Sequence, residues 1–69
     1  MRIATTRTEA RVWECSPSYD GTSFRVKLYT GDSRLGILTV HSNEDLSGVD
    51  ATEWYKVTIR GNRLLDIAR

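Results

Sequence analysis

The segment Phe24-Arg25-Val26-Lys27-Leu28-Tyr29-Thr30 constrains this chain most, because apolar Phe24, Val26 and Leu28 alternate strictly with Arg25, Lys27 and Tyr29. A period of two puts alternate side chains on opposite faces of an extended backbone, so the segment reads as a strand with one face buried and one in solvent. Three further stretches read alike. Gly36-Ile37-Leu38-Thr39-Val40-His41 is apolar and β-branched, and Trp54-Tyr55-Lys56-Val57-Thr58-Ile59-Arg60 sends Tyr55, Val57 and Ile59 to one side. Arg63-Leu64-Leu65-Asp66-Ile67-Ala68 follows directly on Gly61-Asn62, a pair that tolerates positive φ and closes a two-residue hairpin, so these last two strands pair antiparallel. Ala10-Arg11-Val12-Trp13-Glu14-Cys15, beginning at Ile3 at the earliest, supplies a first strand, and Pro17 to Thr22 carries the Pro and Asp-Gly signals of a turn. The expectation is five strands.

With 69 residues there is material for one domain, residues 1–69, and no proline-rich or low-complexity linker divides it. So small a fold buries little more than about 60% of its unfolded surface, which leaves no room for the deep pocket of most enzymes. One cysteine, Cys15, forms no internal disulfide, and one histidine, His41, does not make the usual Cys/His zinc cluster. Cys15 reads as a small buried apolar residue. No nucleophile elbow or phosphate loop appears, the acids Glu44, Asp45, Asp50 and Glu53 do not have calcium-loop spacing, and the chain is expected to be no enzyme, with no metal and no cofactor. Apolar runs are too short for a membrane span or a signal peptide, so a cytoplasmic protein without membrane partners is expected. The formal charge is +1, but it is unevenly placed. Residues 1–31 carry five basic and three acidic groups, residues 32–53 one basic and five acidic, and residues 54–69 four basic and one acidic.

The acidic stretch Ser42 to Asp50 breaks the strand pattern, since Ser42 with Asp45 three residues on resembles a helix N-cap and Gly48 stops it early. Five strands with a short helical or irregular insert between the third and fourth fit an all-β, five-stranded Greek-key barrel of the oligonucleotide/oligosaccharide-binding (OB) kind, whose insert plugs one barrel end. A small Sm-like or Src-homology-like barrel is the alternative. The run from Gly31-Asp32 through Leu38-Thr39-Val40-His41 to Leu64-Leu65-Asp66-Ile67-Ala68-Arg69 resembles the replication protein A type of OB fold. In that family a strand ends in a Gly-Asp turn, an aliphatic-Thr-aliphatic-aromatic strand follows, and a last strand comes after an acidic stretch and a valine-rich strand. This chain departs from it in carrying His41 at the aromatic position and a longer turn through Gly36.

The resemblance implies a nucleic-acid platform on the outer face of the second and third strands. There Arg25, Lys27 and Tyr29 stand in a row, His41 and Thr39 widen the surface, and Arg60 and Arg63 flank the hairpin that would overhang it. Two cations beside a ring can grip phosphates while a base stacks; equally, Arg25 and Lys27 are what any solvated strand face carries. Trp13 and Trp54 read as packing against the barrel or its end, with Trp54 alternatively facing outward, and Tyr19 as capping the barrel or reaching a base. Trp54 and Tyr19 are thus candidates for stacking or interaction. The expected function is weak, sequence-independent binding of single-stranded DNA or RNA; the alternative is a protein-interaction module that engages a larger subunit or a second copy.

Overall fold

The computed structural model describes residues 4–69 and is all β among them, with five strands: β1 (Thr5–Pro17), β2 (Phe24–Thr30), β3 (Ile37–Ser42), β4 (Tyr55–Arg60) and β5 (Arg63–Ala68). They close into a barrel in the order β1-β2-β3-β5-β4, with β4 returning to β1. Every pairing is antiparallel except β3 with β5. That crossing, made because β4 and β5 form a hairpin that inserts beside β3, gives the Greek-key order of a small OB-like barrel and not a simple meander.

The expected strands all form, and the largest difference is the length of β1. It runs thirteen residues because it serves two partners: Thr5 to Ala10 pairs with β4, and Ala10 to Pro17 with β2. Ala10 sits where the two pairings meet, opposite both Tyr55 and Thr30, and is fully buried. The earliest expected start, Ile3, lies outside the described residues.

Alternation builds the core as the sequence suggests. Val26 and Leu28 of β2, Val40 of β3, Val57 and Ile59 of β4 and Leu64 of β5 point inward with Val12 of β1. Each such side chain contributes roughly 1.5–3 kcal/mol through removal from water. Phe24, Tyr55, Ile67 and Cys15 pack against this cluster from its ends, half-buried, and the Cys15 thiol lies 3.8 Å from an Asp45 carboxylate oxygen.

The insert between β3 and β4 takes the irregular form, without a helix. Ser42 Oγ accepts from the Glu44 amide at 3.0 Å, Asp45 Oδ1 from the Ser47 amide and Asp50 Oδ1 from the Thr52 amide, each at 2.9 Å. These two-residue side-chain turns offer the backbone a local alternative to helix. The segment still plugs the barrel, through fully buried Leu46 with Val49 packed beside it.

Both tight connections use glycine where the backbone demands it. Gly36 (φ 60°) closes the β2–β3 loop, its carbonyl accepting from the Thr30 amide and hydroxyl, and Gly61 (φ 62°) closes the β4–β5 hairpin.

Candidate functional site

Along β2 the outward side chains are Arg25, Lys27 and Tyr29, as the alternation requires, and all three are exposed. Each lies in a row of cross-strand neighbours. Tyr29 is opposite Arg11 of β1 and Ile37 of β3; Lys27 is opposite Glu14 and Thr39; Arg25 is opposite Ser16 and His41. From Tyr29 to Arg25 the face spans about 13 Å.

The Tyr29 end is aromatic. Between Val12, opposite Leu28, and Glu14, opposite Lys27, β1 carries one unpaired extra residue, Trp13. Such a bulge turns two successive side chains to the same side, so Trp13 and Glu14 both reach the outer face while Val12 and Cys15 keep to the inner one. Trp13 meets Tyr29 edge to face at 6.2 Å, and Tyr29 meets Trp54 at 6.1 Å and 54°. The Arg11 guanidinium lies 4.6 Å over the Trp54 ring. Trp13, Tyr29 and Trp54 remain 57%, 47% and 39% exposed, and with Arg11 and Ala51 they line a shallow hollow of about 450 Å³.

The Arg25 end is basic. Arg25 pairs with His41, His41 with Arg63, and Arg63 with Arg60, so four basic side chains form one transverse row across β2, β3, β5 and β4. Arg25, His41 and Arg63 line a cleft of about 580 Å³ together with Tyr19, Asp20, Asn43 and Asn62. Arg60, one strand further round the barrel, does not line it. The cleft's far wall is the β1–β2 loop, which is strapped from within. The Ser18 hydroxyl, and the Thr22 amide and hydroxyl, all donate to Asp20 Oδ1, and the Ser18 amide donates to the Ser23 carbonyl. The Ser18 hydroxyl first, then the Thr22 donors, lower the Asp20 carboxyl to about 2.

Between the two ends Lys27 is held by Glu14, with Nζ to Oε2 at 3.3 Å. The remaining ion pairs among the described residues are Arg34 with Asp32 and Arg69 with Glu44. No carboxylate pairs with Arg25, Arg60 or Arg63 among the described residues, and no cluster of three metal-ligating side chains occurs among them.

The residues singled out from sequence thus fall into two groups. Arg25, His41, Arg63 and Tyr19 meet at one end of the face, Tyr29 and Trp54 at the other, with Lys27 between them and Arg60 set aside. Two packing expectations are corrected. Trp13 stands on the outer face because the bulge turns it there, and Tyr19 is fully exposed at the tip of its loop. Arg11 and Trp13 are the members of the face that sequence reasoning missed. Arg11 carries only the weak signal of alternating with Val12, and a bulge without glycine leaves no mark in the sequence. Comparison with protein-family models, with curated proteins and with solved structures returns no match.

Proposed function

We propose that the outer face of β1, β2 and β3 binds single-stranded nucleic acid, weakly and without sequence specificity, in the manner the resemblance to replication protein A-type OB domains implies. The observation that supports this reading is that a single face carries an exposed three-ring cluster at one end and an unpaired basic row at the other. Bases have π-faces that stack on such rings regardless of sequence, and phosphates are neutralised by arginine, whose planar fork suits their oxygens. A net charge of only +1 and the Glu14 carboxylate in mid-face hold affinity to the micromolar range, and the phosphate contacts of the basic row make it fall steeply with salt.

The test is an NMR titration of labelled protein with oligothymidine and, separately, a duplex, at low and moderate salt. Shifts at Arg25, Tyr29, His41 and Trp54 with the single strand, fading as salt rises, are expected; uniform broadening alone would retire the reading. A second reading, a protein-interaction module, is favoured by one specific observation. Half-exposed Ile37 lies opposite Tyr29 and extends the ring cluster into an apolar patch. Association that rises with protein concentration and is lost in Trp13→Ala, without any response to oligothymidine, would support it.

A further inference from the structure

The row Arg25–His41–Arg63–Arg60 sets basic side chains side by side across four strands. Like charges directly opposite one another destabilise a sheet, yet here Arg63 faces Arg60 across one ladder and His41, followed by Arg25, across the next. None of these arginines has a carboxylate partner among the described residues. The only acid lining the cleft is Asp20, whose Oδ1 already accepts three hydrogen bonds within its own loop. Arg25 and Arg63 line the cleft against the single Asp20 carboxylate, and Arg60 adds a third guanidinium one strand further round the barrel.

One phosphodiester brings a single negative charge to such a site, whereas a phosphomonoester brings about 1.5 to 2 at neutral pH and three acceptor oxygens. Arg25 and Arg63 approach the cleft from strands two apart, about 10 Å between backbones, a span that two arginine side chains can bridge onto one phosphate. Asn43 Oδ1 accepts from Arg63 Nη1 at 3.5 Å and so holds that guanidinium at the cleft, Asn62 lines the same wall, and Tyr19 stands fully exposed at the rim, where a terminal base could lie on it. We infer that the cleft between the β1–β2 loop and the β4–β5 hairpin takes the terminal phosphomonoester of a single strand, so that the protein prefers phosphorylated strand ends. This inference rests on the nucleic-acid reading above and narrows its ligand.

The experiment is fluorescence anisotropy with three internally labelled oligothymidines of equal length at one fixed salt concentration: one with a 5′-phosphate, one with a 3′-phosphate and one with hydroxyls at both ends. One phosphorylated end is expected to bind at least fivefold tighter than the hydroxyl-ended strand. Arg63→Gln and Arg25→Gln are each expected to erase that difference while leaving some binding of the hydroxyl-ended strand, with an unchanged amide spectrum reporting an intact fold. Equal binding of all three strands would overturn the end preference and leave the nucleic-acid reading standing. Binding of none of them would overturn both. A preference that persists in both variants would overturn the assignment to this cleft.

Discussion

Tyr29 is the side chain on which the aromatic end turns, since it touches both tryptophans while they do not pair with each other. Tyr29→Ala is expected to weaken oligothymidine binding by about 1–3 kcal/mol, the usual loss for one stacked base, as measured by anisotropy with folding checked by amide spectra. The substitution removes an exposed ring, so stability should change little. Asp20 makes a prediction of the opposite kind, about the scaffold and not the ligand. Its folded-state value of about 2 lies below the ordinary 3.8, so its contribution to stability is present above about pH 4 and is lost as pH falls through 2. Asp32, Asp45 and Asp50 are lowered in the same sense, by hydrogen bonds from Arg34, Ser47 and Thr52 respectively. Thermal midpoints should therefore drop between pH 4 and pH 2, and Asp20→Asn should flatten part of that drop. At this scale the sequence was a partial guide. It pointed to Arg25, Lys27 and Tyr29 on one face because alternation along β2 places them there, and to His41 beside them through the resemblance, but it could not show that Glu14 would neutralise Lys27, which takes a cross-strand register to see.

Among the elements, β2 and the β4–β5 hairpin were legible because each obeys one local rule, strict alternation in the first and positive φ at Gly61 in the second. The insert was legible only in part. Ser42 with Asp45 mimics the start of a helix, but Asp45 and Asp50 spend their carboxylates on amides two residues ahead, and the backbone turns instead of winding. Within this polar stretch Leu46 gives no periodic signal, yet it fills the barrel end completely. Leu46→Ala is expected to destabilise the protein by about 2–5 kcal/mol, the range for a leucine emptied from a packed core, measurable as a lowered urea midpoint. A mere surface loop would show almost no change. The bulge in β1 was invisible for a different reason: its extra residue is a tryptophan, with neither glycine nor proline to announce an irregular backbone.

Taken whole, the molecule separates its charge so that a nearly neutral protein presents one basic region, with Asp32, Glu44, Asp45 and Asp50 of the acidic stretch committed to Arg34, to Arg69 and to turns. Outside that stretch, Glu14 lies in the middle of the proposed binding face and Asp20 at its basic end. Glu14→Gln should free Lys27 for phosphate, tighten single-strand binding, and steepen the plot of log affinity against log salt by about 0.7, one added contact. The barrel's closure bears on the same residues. β3 and β5 meet through one residue pair, His41 with Arg63, and the His41 amide donates to the Asn62 carbonyl at 2.8 Å, so the cylinder is fastened at a single point in the middle of the basic row. An anion held jointly by Arg25 and Arg63 would tie β2 to β5 across that fastening and act as a clasp. Occupancy and closure are then one equilibrium, and hydrogen exchange at the His41 amide should slow on adding ligand more than at Val26 or Val57, deep in ladders that are already complete.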